Sequence, residues 1–208
     1  MTNHDAEYGA TRDELVQRVA LMETMIAEGR QSTARFGWIF VLWGLINLGG
    51  MGWSYLQPRS YWVWPVTIAS GFAIQFIGLA MRRRHSHVPD NNMQNRSIAA
   101  VWRMMGIAII LYVTPAIVRH DAGQDTYIAA IFMFLGLAHA TSAVILRWRA
   151  QGVVAATWWI GGIATYFVRM DYVLLIYVAE MFFGMVVFGL YAMMLERRRA
   201  TALVQHHA

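Results

Sequence analysis

From Val173 to Leu195 the chain reads VLLIYVAEMFFGMVVFGLYAMML, an apolar run broken by a single charge, Glu180. A helix rises about 1.5 Å per residue, so a run of this length covers the roughly 30 Å of a bilayer's hydrocarbon core. Such a segment, too long and too continuous for a barrel strand, reads as a transmembrane helix.

Five more stretches of the same kind lie upstream: 36–56, 61–81, 98–118, 126–146 and 152–168. The last of these, Gly152 to Val168, is the shortest and sits at the lower limit for a crossing. Composition agrees with this reading. Apolar residues make up 58% of the 208 positions and charged residues 14%, against about a quarter charged in an ordinary soluble domain. The absence of cysteine removes disulfides, thiolate-bound zinc, iron–sulfur clusters and thiol catalysis.

Arginine sets the expected orientation. All 17 basic residues are Arg, which reads as the codon bias of a GC-rich bacterial genome and places the chain in a bacterial inner membrane. Thirteen fall in the N-terminal region, the second and fourth loops and the tail, against one each in the intervening loops, Arg59, Arg119 and Arg169. Positive charge concentrates on the cytoplasmic side, so both termini are expected there, with an even number of crossings. The net charge of +5 then reflects topology and contact with anionic lipid head groups at the cytoplasmic Arg clusters, and nucleic acid is not expected as a partner. Aromatic residues Trp53, Tyr55, Tyr61, Trp62, Trp64, Tyr127 and Tyr172 gather at the expected outer ends, where amphipathic rings prefer to sit.

Residues 1–35 form a polar leader without the apolar core of a signal peptide. Thr11 and Glu14 have capping-box spacing, and Leu15, Val19, Met22 and Ile26 recur on one helical face, so an amphipathic cytoplasmic helix is expected over about 11–28, closed by Gly29. Residues 196–208 are expected as a basic cytoplasmic tail. His85 and His87, in the longest cytoplasmic loop, lack the partners of a metal site and read as solvated.

The expected fold is therefore an all-α membrane protein, a six-transmembrane-helix bundle with both termini inside. A 3+3 inverted repeat is suggested by two matches. Ile39–Asn47 (IFVLWGLIN) resembles Ile131–His139 (IFMFLGLAH), and Gly71–Phe76 (GFAIQF) resembles Gly162–Phe167 (GIATYF). Inverted repeats are one plan for transporters.

Five polar residues fall inside the spans: Asn47, Gln75, Arg103, His139 and Glu180. Groups of this kind are costly in lipid and mark function or helix contacts. Each has Gly or Ala three or four positions away, a pattern found where membrane helices approach closely. All five are expected to face the bundle interior, with the alternative for Arg103, about one and a half turns inside its helix, that it reaches back to the cytoplasmic surface. Glu180, a carboxyl in apolar surroundings, is the first candidate for a proton site, with a structural salt bridge to Arg103 as the equal alternative. His139 is expected as a packed histidine. Haem ligation by it would want a second axial ligand, and no other histidine lies in a span, so no cofactor is expected.

No nucleophile triad, phosphate loop or His-Glu-x-x-His motif occurs, so an enzyme is not the favoured reading. Two functions remain. One is a non-enzymatic interaction or regulatory membrane protein, with a protein partner or a second copy of itself. The other is a small transporter or proton-coupled carrier that uses a buried Glu180/His139/Arg103 core.

Overall fold

The computed structural model describes residues 14–21, 37–58, 60, 62–85, 93–119 and 124–206, and these are almost wholly helical. Helix α1 covers 14–21. It is followed by α2 (Gly37–Leu56), α3 (Val63–His85), α4 (Met93–Arg119), α5 (Gln124–Leu146), α6 (Arg149–Ala164) and α7 (Met170–Glu180). A π-helical stretch, Met181–Val187, joins α7 directly to α8 (Phe188–His206).

Among the described residues, five segments are long and apolar enough to cross a membrane: Gly37–Leu56, Val63–Met81, Arg96–Thr114, Thr126–Leu146 and Met170–Leu195. Their outer sides carry large exposed apolar side chains, among them Phe76, Ile77, Leu111 and Leu175. In water so much continuous apolar surface would drive association, whereas hydrocarbon receives it at no cost. The all-helical fold is consistent with a helical membrane protein.

Several boundaries differ from those expected. α4 begins at Met93, ahead of its apolar run, and stays helical through Pro115 to Arg119. α8 continues to His206, so most of the expected tail extends the last helix. α6 starts three residues earlier than its apolar stretch and stops at Ala164. There the Thr165 hydroxyl donates to the Gly162 carbonyl at 2.7 Å, and residues 165–167 turn the chain. Of the amphipathic leader, only 14–21 is described. Glu14 and Arg18 are paired there at 2.7 Å on the exposed surface. Thr11, Met22, Ile26 and Gly29 lie outside the described residues.

α5 and α6 form the most extensive helix pair. The turn between them closes α5 with two backbone bonds, Arg147 N–H to Val144 O at 3.3 Å and Trp148 N–H to Ala143 O at 3.0 Å. This Schellman pattern needs a left-handed residue, normally Gly. Here Arg147 takes that role at φ 48°. Beyond the turn the helices stay together. Gly152 lies beside Ala143, Gly136 under the Trp159 ring, and Gly162 against Phe132 and Met133. The paired numbers fall on one side as they rise on the other, so α6 runs antiparallel to α5 along nearly its whole length.

The core lies between α2, α5, α6, α7 and the π stretch. Phe40, Phe132, Leu135, Trp158, Val173, Tyr177, Met181, Met185 and Phe188 form one cluster. Glycine allows the helices to close on it. A Cβ at Gly37 would lie 2.7 Å from Gly189 O, and one at Gly189 would lie 2.6 Å from Gly37 O. α2 and α8 therefore cross backbone to backbone. Elsewhere a Trp ring fills the groove that a glycine leaves: Trp38 at Gly78, Trp43 at Gly71 and Trp158 at Gly184. α3 is held chiefly by α2, and α4 chiefly by α5.

Candidate functional site

The five polar residues expected inside the spans separate into four groups. The first is a hydrogen-bonded chain across three helices. Trp43 Nε1 donates to Gln75 Oε1 at 2.6 Å, joining α2 to α3. The Trp43 carbonyl accepts from Asn47 Nδ2 at 2.8 Å. Asn47 Oδ1 in turn accepts from the Tyr177 hydroxyl of α7 at 2.8 Å. Asn47 and Gln75 are thus brought together, but through Trp43. Tyr177 completes the chain and stacks on Phe132 at 6.1 Å between ring centroids. In the sequence Tyr177 is one aromatic among many in an apolar run, so only its position opposite Asn47 reveals it.

The second group surrounds His139. Its side chain is fully buried and packs against three rings: Trp102 edge-on at 5.0 Å, Phe188 edge-on at 5.4 Å and Phe40 stacked at 5.5 Å. Neither ring nitrogen has a hydrogen-bond partner among the described protein groups. Three residues further along α5, Ser142 accepts from Trp102 Nε1 at 3.2 Å. Apart from this group, Gln151 on α6 is also fully buried, with both amide atoms unpartnered by described groups. Sequence reading left Gln151 just outside a span. Its spacing to Ala155 and Trp158, four and seven residues on, is the signal that would have placed it on the buried face.

Glu180 belongs to a third group. It stands at the last position of α7, immediately before the π stretch. π-helical turns inside α-helices often accompany function. The Thr157 hydroxyl of α6 lies 3.2 Å from Glu180 Oε2 and 2.8 Å from the Val154 carbonyl oxygen. A hydroxyl has one proton to give. Here it is shared between the Val154 carbonyl and the Glu180 carboxyl, both of which accept from Thr157. Glu180 is half-buried, Thr157 is exposed, and the exposed apolar residues Val153, Ile160 and Phe183 flank them. The pair therefore lies on the outer side of the α6–α7 face.

Arg103, the fourth, departs with Glu180 from the interior placement expected of all five: it takes the surface-reaching alternative. It is exposed on α4, and its Nε donates back to the Ala99 carbonyl at 3.1 Å. The small residues around it explain the misreading. Glycines near Asn47, Gln75, His139 and Glu180 (Gly44, Gly71, Gly136 and Gly184) all meet a neighbouring helix, whereas Gly106 has nothing within 4 Å. A small residue permits a close approach without requiring one. Arg103, His139 and Glu180 consequently keep separate partners. Among the described residues, no group of three His, Asp or Glu is placed to hold a metal ion.

No family model, curated protein or solved structure matches this chain.

Proposed function

We propose that this is a six-crossing, non-enzymatic membrane protein that docks a partner's transmembrane helix, which can come from a second copy, on its α6–α7 face. The observation that carries this reading is the outward placement of Glu180 and Thr157. A polar pair on a hydrocarbon-facing surface is costly there and is typical of helix–helix contacts. α1 adds support: Leu15, Val16, Val19 and Leu21 are uncovered by the rest of the fold, as suits a helix that lies in the membrane interface or on a partner. Arg103, His139 and Glu180 each have contacts of their own and share none, which favours this reading over the carrier.

Six crossings are supported by the α5–α6 pairing. α6 is 16 residues long, about 24 Å, and follows α5 from the turn at Arg147 back to the level of Ala129. Where α5 crosses, α6 returns. Together with the Arg distribution, this supports a bacterial inner-membrane protein with both termini in the cytoplasm. Two of the helix pairings are those a 3+3 repeat would have. α2 with α3 corresponds to α5 with α6, and α2 with α8 corresponds to α5 with α4.

Photo-crosslinking side chains placed at Ile160 and Phe183 in native membranes test the docking face. A discrete protein adduct that disappears in Glu180→Leu is expected, and adducts to lipid alone would overturn the reading. In sealed vesicles Glu180→Gln should leave proton flux unchanged, since the carrier reading requires its loss. The cysteine-free chain allows topology to be mapped with single cysteines. Cysteines at Ser60 and Phe167 should react from the same side of the membrane, and one at Arg147 from the other.

A further inference from the structure

We infer that the outer face of α4 is a binding site for one anionic phospholipid, whose head-group phosphate sits between Arg96 and Arg103. The inference goes beyond the helix-docking reading and uses a different surface. Arg96 and Arg103 are seven residues apart, two helical turns, and so share one face of α4; both are exposed. Ala99, also exposed, lies between them and leaves a shallow notch. Arg96 opens the apolar span, which puts Arg103 about 10 Å deeper along the helix.

A guanidinium keeps its charge in any protein setting. Within hydrocarbon it needs an anion, or must reach the head-group layer. Among the described residues, the only partner of Arg103 is the Ala99 carbonyl, on the side toward Arg96. The side chain is thus already turned toward the membrane surface, with its remaining donors free for an oxygen-rich anion. No acidic side chain of the described fold pairs with it.

The rest of the face suits the remainder of a lipid. Ile107, Ile110 and Leu111 continue the same side of α4 toward the other leaflet, and all are exposed. This helix is also the least covered of the spans: 6% of its apolar window is buried, against 44% for Thr126–Leu146. Two cations at the surface end and an apolar strip below them match an anionic phospholipid in both charge and length.

The test uses the full chain, purified in detergent and titrated with phosphatidylglycerol or phosphatidylcholine, with bound lipids counted by native mass spectrometry. Wild type should retain one phosphatidylglycerol at concentrations where phosphatidylcholine is not retained. Arg103→Gln should weaken that binding about fivefold, the effect of one basic residue at an anionic lipid surface. Arg103→Lys should recover most of it, and Arg169→Gln, at an exposed arginine outside the cytoplasmic clusters, should leave it unchanged. Helicity and monodispersity of each variant separate a lost site from a lost fold. Equal retention of the two lipids, or equal binding by wild type and Arg103→Gln, would overturn the site.

Discussion

The Tyr177 hydroxyl donates to Asn47 Oδ1 at 2.8 Å across 130 positions of sequence, tying α7 to α2. It is the far end of the chain that starts at Gln75 on α3 and passes through Trp43.

Removing this bond from either side should have a measurable and shared effect. Tyr177→Phe and Asn47→Ala are each expected to cost about 1 kcal/mol, with a coupling between them of about 0.6 kcal/mol, the usual size for interhelical bonds in membranes. A double-mutant cycle on unfolding in mixed micelles measures this. Zero coupling would show that the bond contributes nothing.

At the crossing of α2 and α8, backbone meets backbone. A methyl group at Gly189 would meet Gly37 O at 2.6 Å and Val41 N at 2.9 Å. No rotamer change relieves a clash with main chain, so Gly189→Ala should destabilise by about 1–3 kcal/mol. Gly106 faces open space, and Gly106→Ala should be neutral or stabilise by up to about 1 kcal/mol through helix propensity. Thermal melts of the two variants in one detergent compare them directly.

His139 fills the space between Phe40, Trp102 and Phe188. His139→Ala should cost about 3–5 kcal/mol, as other deletions of large buried rings do. His139→Phe keeps a ring in place and should recover most of that loss. A Phe variant as unstable as the Ala variant would show that the imidazole nitrogens, and not the ring, hold the site together.

Arg147 occupies a left-handed position at φ 48°. An ordinary residue there costs about 1–2 kcal/mol, part of which glycine returns as unfolded-chain entropy. Arg147→Gly should therefore raise stability by up to about 1 kcal/mol, and Arg147→Val should lower it, because a β-branched side chain fits this region worst. Melting temperatures in detergent decide the sign of each.

The helical membrane architecture was legible from uninterrupted apolar runs, and the start of α2 and the end of α5 fell close to where those runs begin and end. The ends of α4 and α8 were not, because a helix continues into polar sequence as long as its backbone bonds are made, and composition marks only where lipid stops. The candidate site was legible in part. Asn47 and Gln75 drew attention as polar residues in lipid, but their link runs through an indole and a main-chain carbonyl of Trp43, residues that carry no polar signal of their own.

Apolar length and residue type alone determined that this chain forms membrane-type helices, since crossing hydrocarbon depends on a local property of each segment. Only the tertiary structure decided which way the polar residues face. It turned His139 inward among rings, put Glu180 beside Thr157 at the outer side of α6–α7, and left Arg103 outside on α4. A soluble helix announces its buried side by an apolar stripe against a polar one. In lipid both sides are apolar, that contrast vanishes, and the inside of the bundle exists only once the helices have packed.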